Sequence, residues 1–108
     1  MNTRKIAFLM DGKKIEVYAN ICSGTFSKAM GKMFNFSKKP LLFSFKDERS
    51  VDIHMAFVFM PLLVIWLDEN MKITKERVMK PFVSFEGGNA KYVLEIPLKN
   101  EIIKEFGY

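Results

Sequence analysis

Cysteine and histidine are nearly absent from this chain of 108 residues, which has one of each, Cys22 and His54. A single cysteine excludes an internal disulfide and is typical of a protein in a reducing compartment, so a cytoplasmic location is expected. One cysteine and one histidine also fall short of the usual ligand set of a zinc site. The composition therefore predicts a protein with no metal and no cofactor.

Long hydrophobic runs are missing as well. Residues 6–10 are apolar but end at Asp11, whereas the apolar region of an export signal needs roughly 7 to 15 residues. The longest apolar stretch, residues 55–67, contains Pro61 and is shorter than the roughly 20 residues of a membrane-spanning helix. We expect neither an export signal nor a membrane span, and we interpret this stretch as parts of two buried strands that meet at the proline.

The charge of the chain is moderately basic. Lys and Arg total 17 against 12 Asp and Glu, which gives a net charge of +5, and only 3 of the basic residues are arginines. Specific contacts to bases favour the planar guanidinium of Arg, and the lysines here are dispersed in short pairs such as Lys38-Lys39. Nucleic-acid binding is therefore kept only as a third possibility, based on weak electrostatic attraction.

Apolar periodicity predicts a chain made mainly of strands. Alternating runs on either side of Asp11-Gly12 indicate a β-hairpin with a tight turn. Further strands are predicted at residues 41–45, 51–59, 62–67, 71–79 and 90–96, with a bulge or change of face near Val78. Residues 46–50 are predicted to be a turn or exposed loop, and residues 81–89 a long loop in which Gly87 and Gly88 permit a tight hairpin.

Two short helices complete the predicted fold. Residues 23–25 offer capping groups for a helix that ends near Met33. An apolar spacing of four predicts a second helix between Pro97 and Gly107. Residues 1–108 are thus expected to form a single compact domain of the α+β class, mainly β, with a strongly bent antiparallel sheet or partial barrel.

Four segments resemble, in order and spacing, the family of uncharacterised proteins known as DUF192 or UPF0127. The segments are Ala29-Met30-Gly31-Lys32-Met33-Phe34, Leu41-Leu42-Phe43-Ser44-Phe45, the block from Ile53-His54-Met55 to Leu67-Asp68, and Lys80-Pro81-Phe82 with Ala90-Lys91-Tyr92-Val93-Leu94-Glu95-Ile96-Pro97. Two positions depart from the family pattern: Asn35 stands where a basic residue is usual, and Leu63 where an acid is common. The resemblance implies a compact β-rich fold and brings no catalytic residues with it.

Aromatic and sulfur-containing side chains are plentiful, with 11 Phe, 3 Tyr, 1 Trp and 8 Met. Those in predicted loops either close the ends of a partial barrel or form an exposed surface. The leading hypothesis is a non-enzymatic binding or interaction module, in which residues 32–40 and 80–89 surround an apolar cleft. Its occupant is a small apolar ligand or a protein partner, and the oligomeric state is left open. The candidate binding residues are Phe34, His54, Trp66, Phe82 and Phe85.

The alternative hypothesis is an enzyme or an enzyme accessory that uses Asp52 and His54. These residues are two apart on a predicted strand, so they would share one face and the carboxylate could orient an imidazole base. A Cys22 nucleophile with His54 as its base is a weaker version, because no recognised local motif accompanies it. An isolated histidine between apolar neighbours is more commonly a half-buried, hydrogen-bonded residue.

Overall fold

The fold is built on one six-stranded sheet. The computed structural model describes residues 3–22, 39–55 and 58–108, except for the side chain of His54. The strands are β1 (Thr3–Met10), β2 (Lys13–Cys22), β3 (Leu41–His54), β4 (Leu62–Leu67), β5 (Ile73–Met79) and β6 (Phe85–Pro97). Their spatial order is β1-β2-β3-β6-β4-β5. The predicted β-rich architecture is confirmed.

The N-terminal hairpin forms as predicted. Strands β1 and β2 pair antiparallel over their length, beginning with Met10 opposite Lys13. The turn residues Asp11 and Gly12 have φ angles of 52° and 78°. Two successive positive φ angles are those of a type I′ turn, whose twist matches that of the strands it joins.

The sheet is mixed, whereas the sequence predicts an antiparallel one. The end of β2 pairs in parallel with the start of β3, with Asn20 beside Leu41 and Cys22 beside Phe43. A parallel pair needs a crossover connection between its two strands. Here that connection falls on residues that the structure does not describe, 23–38. The first predicted helix falls on those residues and therefore lies outside the described part of the chain.

The loop predicted at residues 46–50 is wrong, because β3 runs through it. The register of β3 against β6 shifts between Ser44 and Arg49. This bulged part of the strand is exposed, and Arg49 forms an ion pair with Asp47 at 2.7 Å. Bulged residues lie outside the regular ladder, which explains why this segment has no alternation of apolar residues.

The strand predicted at residues 51–59 is too long, because β3 ends at His54 and neither Val58 nor Phe59 belongs to a strand. The loop predicted at residues 81–89 is likewise shorter than expected, because β6 already begins at Phe85. Both errors concern the point where β3 and β6 meet a turn.

The irregularity of β5 lies at Thr74 and not near Val78. Trp66 pairs with Lys75, and the next pair of the ladder reaches Ile73, so Thr74 is the extra residue. Its hydroxyl lies 2.8 Å from the carbonyl oxygen of Asn89 and 3.2 Å from that of Trp66, and donates its single proton to one of them at a time. Either hydrogen bond compensates for the local loss of regular pairing.

Gly87 and Gly88 do not form a hairpin, because both lie inside β6 and pair with Asp52 and Val51. What β6 requires at Gly88 is a small side chain: a Cβ atom there would lie 3.1 Å from Cδ1 of Trp66. Trp66 is fully buried, and its Nε1 donates to the carbonyl of Val51 at 3.1 Å. The indole therefore packs directly against the backbone of β6.

The buried side chains form two clusters, and β4 contributes to both. The first contains Phe8, Ile15, Val17, Ala19, Leu42, Leu63, Ile65, Leu67, Leu94, Ile96, Ile103 and Phe106. The second contains Cys22, Leu41, Phe43, Val51, Met55, Val58, Met60, Leu62, Val64, Trp66, Met79, Ala90 and Val93. Consecutive residues of β4 alternate between the clusters, so all of β4 is buried and its sequence is continuously apolar.

The predicted C-terminal helix forms as a short 3₁₀ helix, Glu101–Phe106. The side chain of Asn100 accepts a hydrogen bond from the amide of Ile102, and Gly107 ends the helix with a φ of 86°. Within residues 3–22, 39–55 and 58–108, no helix is long and apolar enough to cross a membrane.

The sheet curls into a half-barrel, and among the described residues its two edges are joined by an isolated bridge between Leu9 of β1 and Lys72, the residue before β5. The C-terminal residues span the gap beside this bridge. The ring of Phe106 stacks on Phe8, with centroids 5.9 Å apart. Contacts of side chains, more than a hydrogen-bonded ladder, therefore close this seam.

Gly88→Ala should lower the free energy of unfolding by about 1–3 kcal/mol, because the buried, hydrogen-bonded indole cannot move away from the added methyl group. Gly87→Ala is the matched control. Its methyl group would meet the carboxylate of Asp52, an exposed side chain that can rotate, so stability should stay unchanged or rise by up to about 1 kcal/mol. Urea unfolding of both variants measures the difference, and equal destabilisation would contradict this role of Trp66.

A second prediction concerns Tyr108, whose hydroxyl donates to Glu76 of β5 at 3.0 Å. Burial and then this hydrogen bond raise the pKa of Tyr108 above its ordinary value. The folded state thus holds the phenol proton more tightly, so the stabilisation is complete below the ordinary pKa and is lost as pH rises through the raised one. The wild type should unfold at a higher urea concentration than Tyr108→Phe at neutral pH, and the gap should narrow in alkaline solution. A constant gap would show that the hydroxyl does not act through Glu76.

Candidate functional site

Four exposed apolar side chains occur where β3 ends and β6 begins, and we call them the aromatic tip: Phe59, Phe82, Val83 and Phe85. Their exposed fractions are 44%, 54%, 77% and 65%. Phe59 and Phe82 are in contact edge to face, with ring centroids 5.1 Å apart. Exposed apolar residues that are grouped in this way are typical of an interaction surface, whereas scattered ones are not.

The backbone of the tip is fixed by Met55, the residue after β3. Its carbonyl accepts from the amide of Phe82 at 2.9 Å, and its amide donates to the carbonyl of Ser84 at 3.2 Å. Phe82 has a φ of 67°, which is rare for a bulky residue and costs on the order of 1–3 kcal/mol. The hydrogen bonds of Met55 stabilise this unfavourable conformation, which presents the Phe82 ring to solvent.

Two of the five binding residues expected from the sequence, Phe82 and Phe85, belong to the tip. The backbone of His54 lies directly beside Phe85 in the ladder of β3 and β6. The side chain of His54 and the whole of Phe34 lie outside the described residues.

Trp66 lies inside the sheet, where its indole supports β6 and is not exposed. The ammonium group of Lys75 is 5.4 Å from the ring centroid. The same group donates to the carbonyl of Gly87 at 2.6 Å and to Glu86 at 2.8 Å. The hydrogen bond from Lys75 lowers the pKa of Glu86.

The described side chains do not assemble a catalytic set. Asp52 is exposed on β3, and Cys22 is buried at the end of β2. In the described part of the chain, no three His, Cys, Asp or Glu side chains come together in a way that could hold a metal. The hypothesis of catalysis by Asp52 and His54 is therefore supported by their spacing in sequence alone.

Sequence reasoning did not single out Phe59 and Val83. Phe59 falls in an apolar run that predicts a buried strand, and Val83 falls in the middle of a predicted loop. The prolines that follow or precede them, Pro61 and Pro81, were the available signal, because a proline lacks the amide that a central strand requires.

Two clefts lie elsewhere on the described surface. The larger, of about 530 Å³, lies at the seam and is lined by Leu9, Met10, Asp11, Lys72, Ile73, Glu76 and Phe106. The smaller, of about 180 Å³, is lined by Glu16, Val17, Tyr18, Pro40, Asn100 and Ile102. Neither includes a residue of the aromatic tip. The seam cleft joins elements distant in sequence, so periodicity could not reveal it.

Residues 7–106 match the DUF192 family, described as "Uncharacterized ACR". The chain belongs to this family. UPF0127 protein PH1112 of Pyrococcus horikoshii is 30% identical to it in an alignment of 92 residues, and the match covers 81% of this chain and 80% of that protein. The resemblance drawn from four sequence segments is confirmed.

Solved structures share the fold of this DUF192 protein. A proposed transcription regulator from Sinorhizobium meliloti 1021 has a TM-score of 0.79 at 18% identity, over 97% of this chain and 85% of that one. A protein of unknown function from Novosphingobium aromaticivorans has a TM-score of 0.80 at 14% identity, over 97% and 79%. At such identities the likeness concerns the fold alone.

Proposed function

We propose that this DUF192 protein is a non-enzymatic binding module that uses the aromatic tip to hold an apolar group of a ligand or partner. The observation that carries the proposal is the exposure of Phe82 and Phe85 beside Val83, whereas the described rings of Phe8, Phe43, Trp66 and Phe106 are buried. Leaving this area in water is unfavourable, so a surface of this kind is best explained by what it binds.

A separate pair of aromatic rings closes the seam of the half-barrel, so the rings of the tip are not needed for that structural role. Phe106 and Phe8 stack and are both buried at the seam. The rings of the tip differ in that they remain exposed while the backbone beneath Phe82 is strained. Strain that surrounding hydrogen bonds maintain is found mainly at functional positions.

The two other hypotheses draw less support from the described residues. Asp52 is exposed and pairs across the sheet with a glycine, so its neighbour in the ladder brings no further catalytic group. The hypothesis of nucleic-acid binding has less support because carboxylates engage four of the described basic side chains. The pairs are Lys5–Glu16, Lys13–Glu105, Arg49–Asp47 and Lys75–Glu86.

The proposal predicts that the double variant Phe82→Asn/Val83→Ser binds anilinonaphthalene sulfonate on the order of tenfold more weakly than the wild type. Asn tolerates positive φ, so the turn should persist after the ring is removed. Dye titration followed by fluorescence measures the affinity, and urea unfolding confirms that the variant is folded.

Leu9→Ser is the matched control, because Leu9 is also an exposed apolar residue but lies at the seam. None of these substitutions changes the net charge, so the attraction of the sulfonate to lysines is constant. Dye binding that survives the double variant, or that is lost in Leu9→Ser, would contradict the assignment of the binding surface to the tip.

A further inference from the structure

The apolar area of the aromatic tip is only part of the surface that a stable interface between two copies of the chain would bury. A Phe side chain offers about 150–250 Å², so the exposed fractions correspond to roughly 400–500 Å² for the four side chains. A stable protein interface buries about 800 Å² on each partner. Binding to a lipid surface requires no minimum contact area, because each apolar side chain that enters the lipid contributes separately to the binding free energy.

The backbone N–H groups of residues 80–84, the turn under the tip, already have hydrogen-bond acceptors within the protein. The amides of Phe82, Val83 and Ser84 donate to carbonyls of Met55, Pro81 and Lys80, at 2.9, 2.8 and 3.4 Å. The amide of Lys80 donates to the hydroxyl of Ser84 at 2.8 Å, and Pro81 has no amide hydrogen. Residues 80–84 can therefore leave water without exposing an unsatisfied N–H group to an apolar medium.

The charges beside the tip favour an anionic surface. Lys80 is exposed in the same turn, where its stem can lie along the apolar side chains and its ammonium group can reach a phosphate. Of the nearby carboxylates, Glu86 is engaged by Lys75. Asp52 is exposed on β3 opposite Gly87, two ladder positions from Phe85, and is the acid that Lys80 must outweigh. The chain as a whole carries +5, which attracts it towards anionic lipid from a distance.

Resting on the proposed function, we propose that the aromatic tip inserts into the interfacial region of a bilayer containing anionic phospholipid, with Lys80 at the level of the headgroups. In this arrangement Phe82 and Val83 enter the boundary between headgroups and acyl chains. Apolar insertion and electrostatic attraction each contribute to binding.

The test is flotation of the purified protein with phosphatidylcholine vesicles, with and without phosphatidylserine, at low and moderate salt. The wild type should float with vesicles that contain phosphatidylserine, and less so as salt rises. Phe82→Asn/Val83→Ser should lower the partition coefficient at least about tenfold without changing the charge. Lys80→Glu should lower it on the order of tenfold or more.

Lys46→Glu is the control for net charge, because Lys46 is exposed on the β3 bulge away from the tip. It should reduce binding much less than Lys80→Glu. Equal loss in both variants would mean general electrostatic adsorption, and binding that persists without the apolar tip would exclude insertion. Either result, or no flotation of the wild type, overturns this inference.

Failure of this inference can be told apart from failure of the proposed function. If the tip variant loses the dye but the wild type does not bind vesicles, the surface binds apolar groups that do not belong to a bilayer, and the proposed function stands without this inference. Concentration-dependent sedimentation of the wild type that the tip variant lacks would identify the occupant as a second copy of the chain.

Discussion

Strand β6 is the constraint on which the rest of the structure depends, because it joins β1, β2 and β3 on one side of the sheet to β4 and β5 on the other. Its first half pairs with the end of β3, and its second half pairs with the start of β3 and with β4. The bulge between Ser44 and Arg49 takes up the surplus residues of β3 and keeps both halves in register. The absence of a side chain at Gly88 then leaves room for the indole of Trp66 from β4. The pairing of β6 with β3 also places the aromatic tip, since that ladder ends beside it.

The fold could be predicted where local chemistry decides the structure. Asp11-Gly12 specified its hairpin, and Gly107 ended its helix, because both positions require backbone angles that few residues adopt. The course of β3 could not be predicted, because a bulged, exposed strand and a charged loop have the same composition. Gly87 and Gly88 misled for a similar reason: a glycine that makes room for an indole looks the same in sequence as one that makes a turn.

The candidate site was predictable only in part. Phe82 and Phe85 could be found, since they lie in a segment with proline and glycine that predicts a surface position. Trp66 was expected among the binding residues, but a large apolar residue fits a core as well as a site, and the structure buries it. The place of Phe59 in the tip is defined by its contact with Phe82, which lies far along the chain. Contacts of that kind leave no local periodicity in a sequence.

The seam between β1 and β5 is where the structure can open locally before it unfolds as a whole. Opening it would break the bridge from Leu9 to Lys72, the stacking of Phe106 on Phe8 and the hydrogen bond of Tyr108, while every strand ladder stayed intact. Such an opening requires less free energy than global unfolding, because it leaves most of the buried apolar area in place. Amide hydrogens along β6 should then exchange with solvent last, and those of the two edge strands first. Local stability in the half-barrel is therefore highest along β6 and lowest at its two edge strands.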